Sequence, residues 1–217
     1  VIDSVEYGTS AKSLKEGLVP VLRMGNIQDG KLDWSDLKYS SDLDEINKYK
    51  LKKYDVLFNR TNSPEHVGKT AIYLDEQEAI FAGYLIRINY KKNEVNPFYL
   101  NYYLNSIIAK RHGNRVKSFG VNQSNINGTK LKQYPFPSAS LDIQDNIVNE
   151  IDSRLTVHEK IEDDISKALQ KSEVLRQTIL KKAFEGKLLS EADIKKCKQE
   201  ADYEPASVLL ERIKKEK

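Results

Sequence analysis

Apolar positions along this chain follow two different periods, and the change from one to the other divides it. Over roughly the first 139 residues they come in short, strand-like runs. Leu18-Val-Pro-Val-Leu-Arg-Met24 is β-prone and precedes the turn formers Gly25-Asn26 and Asp29-Gly30. Leu51, Tyr54, Val56, Leu57 and Phe58 predict a buried strand that ends in the polar run Asn59-Arg-Thr-Asn-Ser-Pro64. Residues 69–74 and 80–90 predict two further strands, divided by the acidic turn Asp75-Glu-Gln-Glu78. A helix opens with Asn96 as N-cap and Pro97 in the first position, and closes with Lys110-Arg-His112 before Gly113. The amide-rich residues 119–128 read as a loop, and residues 129–136 as a strand.

Beyond Pro135 and Pro137 the period becomes helical. Residues 141–187 hold no proline, and no glycine before Gly186. Ile147, Ile151, Leu155, Ile161, Ile165, Leu169, Leu175, Ile179 and Ala183 recur at three- and four-residue steps. At 1.5 Å per residue this predicts a helix roughly 65–70 Å long, too long for a domain of this size to cover. Its apolar stripe requires another helix. Arg154, His158 and Ser172 fall on the seam, where polar residues cost stability and can fix register. Acids dominate from Asp142 to Asp164 and bases from Lys167 to Lys187. The helix dipole explains the end turns but not acids twenty residues in. Two copies reversed place acid on base, so the pattern predicts an antiparallel partner. The tail beyond Glu191 is expected to be loosely held, with a short helix over residues 205–214. Val208, Leu209 and Ile213 give that helix a small apolar face, which suits either docking or a frayed, solvated end.

A length of 217 residues allows one domain plus an extension, or two small domains. The division expected is residues 1–139 as a globular domain, 140–188 as the long helix and 189–217 as a charged tail. A net charge of +3 is only mildly basic and identifies no partner by itself. The single cysteine, Cys197, excludes an intrachain disulfide framework or a cysteine-based metal site and fits a reducing cytoplasm. No stretch approaches the apolar length of a membrane span, and no leader is visible. The start at Val1 rather than methionine predicts a segment upstream.

Charge placement says more than charge total. Between Glu94 and Asp142 there is no acidic residue, while Lys110, Arg111, Arg115, Lys117, Lys130 and Lys132 all lie there. Phosphate contacts need cations whose field no carboxylate cancels. Interleaved are Asn114, Ser118, Asn122, Gln123, Ser124 and Asn125; asparagine and glutamine can pair with adenine, and arginine with guanine. The candidate DNA-contacting residues here are Arg115, Lys117, Asn122, Gln123, Ser124 and Lys130. A second candidate is the loop carrying Arg60, Thr61 and Asn62, which turn chemistry alone also explains. Tyr7, Thr9, Arg23, Asn26 and Gln28 are weaker candidates, since Arg23 could simply satisfy a nearby carboxylate.

Ser63-Pro-Glu-His-Val-Gly-Lys-Thr70 falls one residue short of a phosphate-binding loop, and Ala71-Ile-Tyr-Leu74 reads as strand where such a loop needs a helix. His66, His112 and His158 have no metal-ligand spacing. No nucleophile–base motif and no adenine-methylation signature is present. Neither cofactor nor metal is expected, and a binding module is favoured over an enzyme. The alternative is a coiled-coil scaffold without a DNA-reading role, which accounts for the helix but not for the acid-free basic segment.

Several blocks resemble the specificity subunits of Type I restriction-modification enzymes. Leu175-Arg-Gln-Thr-Ile-Leu-Lys-Lys-Ala-Phe-Glu-Gly-Lys-Leu-Leu189 is similar to the end of their spacer helix, and Tyr134-Pro-Phe-Pro137 with Leu141-Asp-Ile-Gln-Asp-Asn-Ile147 to its start. Val19-Pro-Val-Leu-Arg-Met-Gly-Asn-Ile27, Asp55-Val-Leu-Phe-Asn-Arg-Thr-Asn-Ser-Pro64 and Gly120-Val-Asn-Gln-Ser-Asn-Ile-Asn-Gly-Thr-Lys-Leu131 resemble blocks of a target recognition domain. Asp202-Tyr-Glu-Pro-Ala-Ser-Val-Leu-Leu-Glu-Arg-Ile213 is similar to the C-terminal close of such subunits. The resemblance implies an α+β fold, a mixed α/β target recognition domain followed by one long coiled-coil spacer helix. It also implies a DNA-reading subunit without catalysis of its own. Its partners would be double-stranded DNA, a methyltransferase (modification) subunit and, through the complex, a restriction (motor/nuclease) subunit. Complete subunits carry two recognition domains and two antiparallel spacer helices. This chain holds one of each, as the C-terminal half of a full subunit or as a natural half-subunit.

Overall fold

The computed structural model describes residues 1–120 and 123–216. Its contacts fall into two units, Val1–Ser153 and Arg154–Lys217. The first half of the first unit contains β1 (Ile2–Tyr7), β2 (Val19–Leu22), a 3-10 turn (Met24–Asn26), β3 (Ile27–Gln28), β4 (Lys31–Leu32), β5 (Lys38–Ser40), α1 (Leu43–Tyr49), β6 (Val56–Asn59) and β7 (Thr61–Asn62). Then come β8 (Thr70–Ile72), β9 (Ile80–Phe81), β10 (Leu85–Tyr90), α2 (Pro97–Asn105), α3 (Ile107–Val116), β11 (Ser118–Phe119), β12 (Ser124–Asn125), α4 (Gly128–Lys132) and the opening of α5 (Leu141–Phe184). The expected α+β fold with one long helix is the one observed.

A four-stranded antiparallel sheet in the order β1-β10-β6-β8 forms the centre. All four residues of β6 are buried, because both faces of the sheet are covered. On one face Val56, Phe58, Ile72, Ile86 and Ile88 pack against Leu100, Leu104, Ala109 and Leu131 from the helices. On the other, Leu57, Ala71 and Leu85 meet Leu22, Ile27 and Phe81. This alternation along each strand is the period of two that a pleated sheet imposes. A smaller sheet, β5-β2-β9, lies beside it, with β2 and β9 parallel.

Four expectations are corrected. The run over residues 80–90 is two strands, because the backbone at Ala82 and Gly83 turns away to donate to Leu22 O (2.9 Å) and Thr9 O (2.7 Å). The helix that Asn96 caps ends at Asn105; Ser106 then caps a second helix, its Oγ accepting from Ala109 N (3.3 Å). That second helix runs through Gly113, where a Cβ would lie 2.5 Å from the Tyr134 hydroxyl. In place of a strand over residues 129–136 stands α4, opened by Asn127, whose Oδ1 accepts from Lys130 N (2.9 Å).

The base of α5 is bound into the first unit by Gln144, which is buried. Its Oε1 accepts from Asn96 N (2.9 Å), and its Nε2 donates to Glu94 O and Ala139 O (both 2.8 Å). In the second unit the rest of α5 leaves Leu155, Ile161, Ile165, Leu169 and Leu175 exposed. The tail holds α6 (Glu191–Cys197), capped by Ser190, and α7 (Ala206–Lys215), the short helix expected over residues 205–214; neither helix has a buried residue. Among the described residues no helix is long and apolar enough to cross a membrane.

Candidate nucleic-acid interface

The two polar segments singled out in the sequence meet in one small sheet. β12 pairs with β7, setting Ser124 opposite Asn62 and Asn125 opposite Thr61, and β11 closes the other side. The Asn125 amide donates to the Thr61 hydroxyl (2.7 Å), and Ile126 N to Arg60 O (2.9 Å). Cations secure the margins of this sheet. Lys117 Nζ donates to Pro64 O (2.9 Å) and Asn114 Oδ1 (2.8 Å), and Lys130 Nζ to the Ser118 hydroxyl (2.7 Å). Arg115 and Gln123 are exposed.

β7 also borders a cleft of about 710 Å³ lined by Tyr7, Thr9, Lys12, Arg23, Lys38, Arg60, Thr61 and Tyr84, with no carboxylate among its lining residues. The Arg60 guanidinium lies over the Tyr7 ring (4.9 Å) and donates to Gly83 O (3.2 Å). Tyr7 Oη in turn accepts from Gly128 N (3.1 Å), which ties β1 to the start of α4. Gly8 passes so close to β9 that a Cβ there would stand 2.2 Å from Phe81 O; only glycine fits this crossing. A neighbouring hollow of about 550 Å³ shares Arg23 and Tyr84 and adds Gln28, Asn62, His66 and Lys69. Asp36 enters this hollow and pairs with Arg23 (3.1 Å), so the Arg23 charge is answered locally. Concave ground lined by cations of one sign focuses a positive field.

The candidates therefore divide by what they touch. Arg60, Thr61, Asn62, Arg115, Lys117, Gln123 and Lys130 lie on or beside the sheet and clefts. Asn26 is buried: its Oδ1 accepts from Arg23 N (2.9 Å), and its Nδ2 donates to Asp33 O and Asp36 O (both 2.9 Å), so it holds a turn and presents no edge to a ligand. Ser124 is fully buried at the centre of the small sheet and shapes it from within. Asn122 lies outside the described residues. Lys12, Lys38 and Tyr84 were not picked out by sequence. They arrive through the Leu14↔Tyr39 and Thr9↔Ala82 bridges, and no local pattern marks them. The near-match to a phosphate loop gives way to β8 at Thr70, where such a loop would need a helix.

Comparison with known proteins gives this surface a context. Residues 7–174 match the type I restriction modification DNA specificity domain. A Methanocaldococcus jannaschii protein assigned as the type I restriction enzyme MjaX specificity subunit is 31% identical over 202 residues, covering 87% of this chain and 48% of that protein. The type I restriction enzyme EcoKI specificity subunit of Escherichia coli is 27% identical over 222 residues, covering 100% of this chain and 48% of its own length. Among solved structures, the HsdS subunit from Thermoanaerobacter tengcongensis superposes with a TM-score of 0.57 at 19% identity, over 87% of this chain and 44% of that one. A chain from a structural study of complex assembly and conformational transition in the type I R-M system gives a TM-score of 0.65 at 20% identity, over 85% and 44%. These structures share its fold, and the curated relatives are named as specificity subunits. The chain spans about half the length of the curated relatives it matches. It belongs to the type I restriction-modification DNA specificity family.

Proposed function

We propose that this chain is a non-catalytic, cytoplasmic DNA-reading half of a Type I specificity subunit. It reads one part of a bipartite target on double-stranded DNA. It also holds a methylating subunit there and, through the complex, a motor/nuclease subunit. One observation carries this reading. Two polar segments distant in sequence are joined by β7 and β12 beside a cleft that gathers Lys12, Lys38 and Arg60 without a carboxylate among its lining residues. Phosphates supply affinity to such a surface, and exposed amides such as Gln123 supply selectivity.

The exposed stripe of α5 supports the second half of the proposal. Leu155, Ile161, Ile165, Leu169 and Leu175 lie in water on a helix whose charges run from acid to base. A reversed second helix, from another copy or from the other half of a full subunit, would cover the stripe and match the charges. Fluorescence anisotropy with random-sequence duplex DNA at low salt tests the DNA reading, with the chain alone and then with its methylating subunit. Binding that weakens steeply with salt is expected. A chain that dimerises yet ignores duplex DNA under both conditions would instead be a coiled-coil scaffold.

A further inference from the structure

Tyr84 is 48% exposed and lines both hollows described above, so it forms part of the wall they share. Its backbone is fixed on three sides. Tyr84 O accepts from Arg60 N (3.0 Å), Leu85 N donates to Ala82 O (2.9 Å) across the turn, and Gly83 N donates to Thr9 O (2.7 Å). Its side chain is uncommitted: among the described residues the phenol makes no hydrogen bond and the ring no aromatic or cation contact. Tyr7, the other tyrosine of the larger cleft, has its ring under the Arg60 guanidinium. Lys12 and Lys38 line the same cleft, and among the described residues neither has an ion pair or a hydrogen bond. The Leu14–Tyr39 backbone bridge (2.8 and 2.9 Å) draws these two like charges together. Like charges held together repel, and an anion bound there relieves the repulsion. Shape decides which part of a nucleic acid brings that anion. Base edges inside a duplex lie at the floor of a groove, which a protruding helix or ribbon reaches and a hollow does not. A hollow of about 710 Å³ with an aromatic wall and free cations instead fits a nucleotide that has left the stack.

Resting on the DNA-reading function above, we propose that this cleft holds one unstacked nucleotide, its base on the Tyr84 ring and its phosphate on Lys12 and Lys38. Such a nucleotide arises in a duplex when a base is turned out of the stack, as a methylating subunit does to its target. A free nucleotide carries the same chemistry. The experiment measures the affinity of the full chain, by fluorescence anisotropy at low salt, for three short duplexes of one arbitrary sequence. The first is fully paired, the second carries one extra thymidine as a bulge, and the third an abasic residue in its place. Wild type should prefer the thymidine bulge to the abasic one by about tenfold, the worth of one base on an aromatic ring. Tyr84→Ala should bind the two bulges equally, whereas Tyr84→Phe should keep the preference, because the ring stacks without its hydroxyl. Lys38→Gln should cost both bulged duplexes more than the paired one, since the displaced phosphate is theirs alone. The side chain of Tyr84 is half exposed, so both its variants should match the wild-type melting temperature, and the wild-type comparison of the two bulges needs no variant. The proposal is overturned if wild type binds the two bulges alike, if Tyr84→Ala keeps the preference, or if Lys38→Gln costs all three duplexes equally. Thymidine monophosphate, added as competitor, should displace the bulged duplex only at millimolar concentration, because it brings none of the duplex's other phosphates. Displacement at micromolar concentration that Tyr84→Ala abolishes would make the cleft a site for free nucleotides and overturn its assignment to DNA. Failure to bind any of the three duplexes is a different result, and removes the DNA-reading function itself.

Discussion

Lys117 is tied to Pro64 O and Asn114 Oδ1, and its replacement should show what its charge contributes. Its ammonium lies in the carboxylate-free segment and also fastens Pro64 to the end of α3. Lys117→Ala should weaken binding to every duplex alike and lower the slope of log affinity against log salt by about one. Gln123→Ala should instead change preference at a single base pair, by roughly 1–3 kcal/mol if the amide pairs with adenine. Equal losses on all sequences for both variants would mean that neither reads bases. Away from this surface, Glu6 accepts hydrogen bonds from Arg87 and Asn89, which hold its carboxyl below its ordinary pKa of 4.5. A depressed folded-state pKa stabilises above the unfolded value, and that stability is lost as pH falls through the folded one. Wild type should therefore lose more stability than Glu6→Gln on acidification below about pH 4.5, by less than about 1 kcal/mol because the pair is partly exposed. Urea melts at pH 7 and pH 3.5 measure this difference. At this scale the sequence singled out Arg60 within its polar run, and the fold sets that side chain over the Tyr7 ring at the cleft. The sequence was misleading at Asn26, whose amide is consumed by a turn that only the folded 33–36 backbone reveals.

Gln144 shows how one side chain can define the base of an element. It satisfies three backbone groups, on Asn96, Glu94 and Ala139, in a buried position. Alanine there leaves those groups without their partner, a cost of roughly 2–4 kcal/mol. Gln144→Ala should lower the denaturation midpoint accordingly, and amide exchange should quicken at Asn96 before it does in β6. Unchanged exchange at Asn96 would show that the junction does not depend on this amide. Elements that carry their own boundary chemistry could be read in advance, as with the Asn96-Pro97 start and the exit of α5 near Gly186. The run over residues 129–136 misled because Leu131, Tyr134 and Phe136 suggest a half-buried strand. The Asn127 cap and the fully buried Leu131 instead close one short turn of helix against the core. α1 escaped notice because only Ile46 of its seven residues is buried, too narrow a face to show a period.

Pairings between distant segments assemble the recognition unit, and local sequence does not encode them visibly: β1 with β10, β12 with β7 and the parallel β2–β9 are all of this kind. The long helix is the opposite case. Its 44 residues announce themselves by periodicity alone, and the main prediction at this scale rests on it. An apolar stripe left in water on α5 requires a partner helix, and the acid-then-base order matches itself only when one copy is reversed. A closed two-fold dimer is the commonest way for one sequence to supply both helices. Two reading units joined through such a pair would address a split target, and helix length would set the number of unread base pairs between the parts. Deleting seven residues around Ile165 removes two turns and largely preserves the phase of the stripe. It shortens the helix by about 10 Å, or about three base pairs of duplex at ~3.4 Å each. The gap mapped from methylated adenines should contract by about that number while both half-sites stay the same. In a half-subunit dimer those half-sites would be inverted repeats; in a full subunit they would differ. A gap that does not move, or a deletion variant and wild type that both sediment as monomers at micromolar concentration, would refute the pairing assigned to the helix.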